Sequence, residues 1–160
     1  MEHNFSKQLA QRFRELFLNG KWIANTNYQE LLSDITWQQA TQKVQSLNTI
    51  AILTFHINYY VEGVLQVLHG GELTIRDQFS FDAPELLSEA DWNALKNSLF
   101  NNAEAFAKHI ESMSEAELES TFVKETYGSY RRNIEGLIEH SYYHFGQLSL
   151  LKKLVIEKKI

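Results

Sequence analysis

Two histidines four residues apart, His140 and His144, are the residues whose spacing first indicates chemistry. On a helix this spacing places both imidazoles on one face, about one turn apart, where they can bind the same metal ion. Together with Gln147 they interrupt an otherwise apolar row of the predicted helix. Burying such polar side chains without partners would cost on the order of 1–3 kcal/mol each, so the sequence predicts that something satisfies them.

His56 offers a third imidazole. It lies beside the apolar row of a second predicted helix, and histidines on two helices can converge on one ion in the core of a bundle. The other interpretation is that these are core histidines hydrogen-bonded to nearby tyrosines, for which the candidates are Tyr59, Tyr60, Tyr142 and Tyr143. Spacing alone leaves both interpretations open.

Known metal motifs narrow the kind of site. A zinc protease of the His-Glu-x-x-His type needs a glutamate after the first histidine, and Ser141 stands there instead. Di-iron bundles need a glutamate three residues before a histidine, but these positions hold Leu53, Leu137 and Ser141. The remaining possibility is a mononuclear three-histidine site with open positions, which is typical of catalytic metals rather than structural ones.

The other histidines need no ligand to explain them. His3 lies near the amino terminus, His69 lies in the last turn of a predicted helix, and His109 flanks an apolar row. Glu62 and Glu139 are close to the candidate ligands in sequence, but charged helix residues are usually solvated. The sequence therefore indicates no particular carboxylate as a general base.

Helical periodicity predicts an all-α single domain over residues 1–160, a four-helix bundle with short accessory helices. The long helices are expected at 4–19, 47–69, 89–112 and 130–157, and a short one near 28–32. Capping boxes are expected at Thr36 and Ser114, and a helix start at Ser88. Glycine after the first helix, at Gly20, is read as its stop.

Residues 71–88 are predicted to form a loop longer than most connections in compact domains. A plain crossover between distant helices is the favoured interpretation, and a lid or binding loop is the alternative.

Composition excludes several classes of function. The 160-residue chain has no cysteine, so thiolate metal sites, disulfides and cysteine nucleophiles are excluded. Its formal net charge is -5 with acids and bases mixed along the chain, so neither a nucleic-acid surface nor a polybasic membrane contact is expected. No apolar run approaches the ~18 residues that span a membrane. We expect a cytoplasmic protein.

Residues 133–147, NIEGLIEHSYYHFGQ, resemble the last-helix signature of the DinB/YfiT-like four-helix bundles, which carry a His-x-x-x-His-x-Gly-Gln pattern there. Residues 54–60, TFHINYY, resemble the histidine-bearing second helix of that family. Residues 76–82 and the pair Asp91 and Trp92 look like an uncharacterised branch of it. The resemblance covers about 47–151.

The resemblance implies a metal triad of His56, His140 and His144 that binds zinc or nickel, and it implies a homodimer. It favours a metal-dependent enzyme, a thiol-dependent S-transferase or a hydrolase that acts on a small molecule, with a low-molecular-weight thiol as candidate cofactor. The alternative is a non-catalytic bundle that holds a small ligand or a metal in a stress response.

Three further residues are candidates for contact with a ligand. Gln147 could orient a ligand or donate a hydrogen bond to a metal-bound histidine. Tyr60 could form a wall of the site, as could Tyr143, although an aromatic residue on an apolar row is more often part of the core. No residue of a characterised relative that contacts substrate could be matched to this sequence.

Overall fold

The computed structural model describes residues 5–157, so His3 lies outside the described residues. Within this part of the chain there are seven α-helices: α1 (Phe5–Phe17), α2 (Tyr28–Leu32), α3 (Trp37–Thr41), α4 (Ile50–Leu68), α5 (Glu89–Ser112), α6 (Glu115–Glu119) and α7 (Tyr130–Glu157). The pairing of extended backbone is limited, in these residues, to one isolated bridge between Thr121 and Ser129. The predicted all-α class is confirmed.

Four of the helices, α1, α4, α5 and α7, are long, and they lie against one another around one apolar core. Helix α5 packs closely along both α1 and α4, and α7 packs against the same two helices through buried side chains from Ile134 to Val155. Phe13 of α1 stacks on Phe106 of α5 with ring centroids 4.4 Å apart. Trp92 is fully buried, and its indole N–H donates to the carbonyl of Ile35 at 2.7 Å, so this large side chain has no unsatisfied donor.

Side-chain caps start several helices as the sequence predicts. Capping boxes form at Thr36 with Gln39 and at Ser114 with Glu117. The Ser88 hydroxyl accepts a hydrogen bond from the Asp91 backbone N–H at the start of α5. Such caps satisfy donors that the first helical turn leaves free, and they fix where the chain turns into a helix. The bounds predicted for α5 and α7 agree with the structure.

The predicted bounds of the other two long helices were wrong by a few residues. Helix α4 begins at Ile50 rather than 47, because the Thr49 hydroxyl caps it by accepting from the Ile52 N–H. Helix α1 ends at Phe17, where the backbone N–H groups of Leu18 and Asn19 both donate to the Arg14 carbonyl. Glycine 20 therefore does not stop the helix with a left-handed backbone.

After α4 the chain turns at Gly70, whose φ of 85° suits glycine, and enters the long connection to α5. This connection holds a short 3-10 turn, Asp77–Phe79, and runs back along α4 rather than out into solvent. It thereby reaches the region where α4 and α7 face each other.

Between residues 5 and 157, no helix has both the length and the apolar character that crossing a membrane requires.

Candidate metal centre

The three predicted ligands come from two helices that meet in space. Helix α4 supplies His56, and α7 supplies His140 and His144 one turn apart. Tyr28 supports the position of α7, because its buried hydroxyl donates a hydrogen bond to the Ser141 carbonyl at 2.6 Å. This bond fixes the stretch of α7 that carries both histidines.

The imidazole rings converge through the same ring atom, Nε2. The Nε2 atoms of His56 and His140 are 3.3 Å apart, and those of His140 and His144 are 2.8 Å apart. Among the described residues, this is the one group of three or more metal-binding side chains whose ligand atoms all lie within 4.8 Å of one another. The group could hold a metal ion.

The opposite ring nitrogens show which tautomers are present. His56 Nδ1 lies 3.1 Å from the Ser80 carbonyl, and His144 Nδ1 lies 2.7 Å from Gln147 Oε1. Both oxygens accept hydrogen bonds, so both Nδ1 atoms carry the proton and both Nε2 atoms present lone pairs. Histidine ligands in metal sites are held in the same way, by donating the other ring N–H to an oxygen.

These lone pairs do not satisfy each other without an added partner. In a neutral His140, Nε2 carries at most one proton, which can be donated to His56 or to His144 but not fully to both. At least one buried ring nitrogen then lacks a donor. A metal ion resolves the conflict because it accepts all three lone pairs at once.

The distances between the ring nitrogens fit such an ion. With Zn–N bonds of about 2.0–2.1 Å, nitrogens at a tetrahedral angle are about 3.3 Å apart and those at a right angle about 2.9 Å apart. The observed separations of 3.3 and 2.8 Å correspond to these two values. The donor set, three neutral imidazoles, suits zinc and nickel.

Burial keeps the three imidazoles neutral, as metal binding requires. The pKa of His56 is lowered from 6.5 to about 4, chiefly by burial and also by the neighbouring His144 and His140, while the hydrogen bond to Ser80 acts in the opposite direction. The pKa of His140 and that of His144 are also lowered, in each case chiefly by burial. At neutral pH all three rings therefore carry free lone pairs rather than positive charge.

The connection between α4 and α5 covers one side of the cluster. Residues 75–81 form this cover and are termed the covering segment. Phe81 stacks flat on the His56 ring, with centroids 3.9 Å apart and an interplanar angle of 9°. The Ser80 carbonyl accepts from His56, and Asp77 accepts from the Tyr60 hydroxyl at 2.8 Å. The interpretation of this connection as a plain crossover, which the sequence favoured, is therefore incomplete, because the connection helps to build the site.

The structure places these three candidates for ligand contact differently. The side-chain oxygen of Gln147 accepts a hydrogen bond from His144, so Gln147 supports a candidate metal ligand in this structure. Tyr60 stands edge-on to His56 and His140, with ring centroids 5.1 and 5.3 Å away, so it lies at a wall of the site. Tyr143 packs against the outer side of His144 and is 64 % exposed.

Sequence reasoning missed the contributions of Asp77, Ser80 and Phe81. Asp77 is the carboxylate whose charge acts on both His56 and His140, raising the pKa of each against the effect of burial. Two of the tyrosines named as alternative partners form their hydrogen bonds elsewhere, since Tyr59 donates to the Arg76 carbonyl and Tyr60 to Asp77. The unusual length of the connection was the available signal.

The histidine cluster does not include the other described histidines or the two glutamates considered from the sequence. His69 and His109 form a separate pair with ring centroids 5.4 Å apart, which the sequence did not predict. Glu139 is exposed and faces Arg132 at 3.4 Å. Glu62 is exposed on α4.

No protein-family model, no curated protein and no solved structure matches this chain. Its function must therefore be inferred from the site itself and from the motif that carries it.

Proposed function

We propose that this chain is a metal-dependent enzyme that binds one zinc or nickel ion through His56, His140 and His144 and acts on a small molecule. The observation that carries the proposal is the convergence of three Nε2 atoms at 2.8 and 3.3 Å, with two of the opposite nitrogens bonded to oxygen acceptors. The His-x-x-x-His-x-Gly-Gln motif at 140–147 supports membership of the DinB/YfiT-like four-helix bundles as part of the same proposal.

Three protein ligands leave at least one coordination position for water or substrate, which is the arrangement of catalytic rather than structural zinc. When bound, the ion would supply Lewis acidity, either to a bound water or to a thiol held as thiolate. Both an S-transferase that uses a low-molecular-weight thiol and a hydrolase are consistent with this chemistry. Here Ser80 and Gln147 orient the imidazoles, and Phe81 keeps water from one face of His56.

Access to solvent favours an enzyme over a non-catalytic metal-binding or small-ligand bundle. His140 is only partly buried and lines an open groove of about 410 Å³, so a small molecule can reach the ligand cluster. A structural ion would instead have a fourth protein ligand in a closed site.

Metal content of purified variants tests the site. We expect one divalent ion per chain in the wild type, and loss of most of it in His56→Ala, His140→Ala and His144→Ala, because two imidazoles are a poor site. His69→Ala and His109→Ala are matched controls, since they remove histidines of the separate pair. Circular dichroism should show that all five variants keep their helices.

Two results would contradict the proposal. One is a wild-type protein that stays free of metal after incubation with zinc or nickel. The other is a loss of metal in His109→Ala as large as in His144→Ala. The open position has its own test: adding 2-mercaptoethanol to cobalt-loaded protein should produce thiolate-to-cobalt absorption, and an unchanged spectrum would favour a closed, non-catalytic site.

A further inference from the structure

A cavity of about 820 Å³ lies between the amino-terminal halves of α4 and α5, and it has about twice the volume of the groove at the histidine cluster. Helix α3 and the end of the connection between α4 and α5 complete its walls. None of the three candidate metal ligands lines it. Pockets of about 300–1,000 Å³ are typical of sites for small molecules. The cavity is therefore large enough for a ligand of its own.

The lining of this cavity is mostly apolar and includes two aromatic side chains. Trp37 of α3 and Phe55 of α4 line it, and each is only partly buried. Ile52, Leu95 and Pro84 add aliphatic surface. A partly exposed aromatic ring gains from contact with another ring, because apolar surface leaves water and the rings can stack or meet edge-on. The lining thus favours a flat, aromatic ligand.

One buried polar side chain, Asn58, also lines the cavity and is only 6 % exposed. Its Nδ2 donates to Ser98 Oγ at 3.1 Å, and its Oδ1 accepts from Asn102 Nδ2 at 3.0 Å. A side-chain amide has two N–H groups and two oxygen lone pairs, so one of each remains after these two bonds. Buried polar groups are normally satisfied, and a ligand that both accepts and donates would use this remaining capacity.

Ser98 and Asn102 fix the orientation of this amide, although neither lines the cavity. Asn58 cannot turn away without breaking two hydrogen bonds, and such preorganisation lowers the entropic cost of binding. The amide group of a ligand complements it, because the ligand carbonyl accepts from Nδ2–H and the ligand N–H donates to Oδ1.

The charged residues that line the cavity favour neither an anion nor a cation. Glu85 and Lys43 are exposed and opposite in sign, and the carboxylate of Asp91 already accepts from the Leu87 backbone N–H at 2.9 Å. A charged ligand would lose hydration against the apolar lining without a buried counter-charge. A neutral ligand avoids this cost.

We infer that this cavity is a second ligand site, and that it binds a small, neutral aromatic amide. The ring of the ligand packs against Trp37 and Phe55, and its amide pairs with Asn58. The inference goes beyond the proposed function and needs no metal ion. Apolar contact supplies most of the affinity, and the amide pair supplies the specificity.

The test titrates the full ¹⁵N-labelled chain with four probes that share one ring system, and follows the shifts of its N–H signals. 2-Naphthamide accepts and donates, 2-acetylnaphthalene only accepts, 2-naphthoate is an anion and 2-naphthylmethylamine is a cation. We expect the amide to bind with a dissociation constant below about 0.5 mM, since its 13 non-hydrogen atoms pack against a preformed apolar wall. It should bind about fivefold more tightly than each of the others, the effect of one hydrogen bond or one charge.

Variants separate the cavity from non-specific apolar binding. Ala94 lines the cavity and is exposed, so Ala94→Phe should fill part of the space and weaken binding of the amide at least tenfold without disturbing the core. Ala116→Phe is the matched control, because Ala116 is also exposed but lies on α6 and does not line the cavity.

A second pair of variants tests the amide contact. Asn58→Ala should bring the affinities of 2-naphthamide and 2-acetylnaphthalene to within about twofold of each other. Asn102→Ala removes the same type of side chain from the same hydrogen-bonded group, but it leaves Asn58 in the cavity wall. It should therefore keep most of the preference.

Shifts centred on the signals of Trp37, Phe55 and Asn58, together with the expected order of affinities, would support the inference. Wild-type protein that does not bind 2-naphthamide at 0.5 mM would overturn it. So would shifts centred on Tyr60 and His140 instead, or an affinity for the anion or the cation that equals that of the amide. The inference also fails if Ala94→Phe binds as tightly as Ala116→Phe.

Discussion

Gln147 has a particular role beside the histidine cluster, because its side-chain oxygen fixes which nitrogen of His144 is free. We expect Gln147→Leu to weaken metal binding by about 10- to 100-fold, since the supporting acceptor is lost and the ring can turn or change tautomer. Gln147→Glu keeps an acceptor at the same place and should retain most of the affinity. Competition with a chromophoric chelator measures both. Equal affinity of wild type and Gln147→Leu would contradict the role.

Acidity should release the metal at a lower pH than ordinary histidines would allow. Only a neutral imidazole binds the ion, and burial lowers the pKa of His56 to about 4 and that of His140 and His144 below 6.5. The neutral forms therefore persist as pH falls below 6.5. The metal should be released only below the ordinary histidine value, as the pH falls through the lowered pKa values of the three rings.

Titration with a metal indicator between pH 7.5 and 3.5 checks this expectation. A release midpoint at or above the ordinary histidine value of about 6.5 would contradict it. The same pKa shifts determine how the stability of the metal-free protein changes with pH. Its histidine-linked stability is fully present above the unfolded pKa and is lost as pH falls through the lowered folded pKa.

His140 and His144 could be predicted as a pair because a helix places residues four apart on a shared face, whereas His56 was predicted from its place beside the apolar row of a second helix. His140 and His144 are also recognisable as polar residues in an apolar row. Ser80 could not be predicted in the same way, because it acts through its backbone carbonyl, which every residue possesses. Phe81 lies in a connection without periodicity, so no local pattern indicates which ring it covers.

The covering segment is also attached to α4 by contacts that do not involve the histidines themselves. The Tyr59 hydroxyl accepts from the Arg76 N–H at 2.8 Å and lies 3.1 Å from the Arg76 carbonyl. Ile75 packs directly on Gly63, where an added Cβ would come within 2.4 Å of Ile75 Cγ2. The glycine thus lets the segment approach α4 closely enough to place Ser80 on His56.

Replacing that glycine should disturb the metal site from a distance. We expect Gly63→Ala to destabilise the fold by about 1–3 kcal/mol through overpacking and to weaken metal binding, because the covering segment must move outward. Adding Ile75→Ala in the same chain should restore both. Thermal unfolding and chelator competition provide the two measurements.

Gly146→Ala is the matched control, because that glycine is also within a helix but a Cβ there meets no atom within 4 Å. It should stabilise α7 by up to about 1 kcal/mol through helix propensity. If Gly63→Ala behaved like Gly146→Ala, the close packing of Ile75 would have no effect on the site.

The start of α5 was more predictable than the end of α1, for a chemical reason. A start such as that of α5 depends on one hydroxyl, at Ser88, and one nearby N–H, which the sequence displays. The end of α1 instead depends on where two backbone N–H groups find the Arg14 carbonyl, and many residue types permit that. The start of α4 was misplaced because Leu47 continues the apolar pattern, although it is 46 % exposed.

For the whole molecule we expect a homodimer. The motif resemblance implies one, and α7 exposes apolar side chains on a single face, with Tyr143 at 64 % and Leu150 at 58 % exposure two turns apart. Light scattering should give twice the 18.6 kDa of one chain at micromolar concentration. Leu150→Glu should shift the mass towards one chain if this face is the contact. A wild type that scatters as 18.6 kDa at these concentrations would contradict the dimer.

The way α7 joins the remaining helices has a consequence for motion. The backbone of α7 approaches α1 and α4 less closely than the backbone of α5 does, so the side of the fold between α4 and α7 is the more widely spaced one. The histidine cluster bridges that side, with His56 on α4 and its two partners on α7. A bound ion would cross-link the two helices. Removing it should make the amide hydrogens of α7 exchange with deuterium faster, while those of α5 keep their protection.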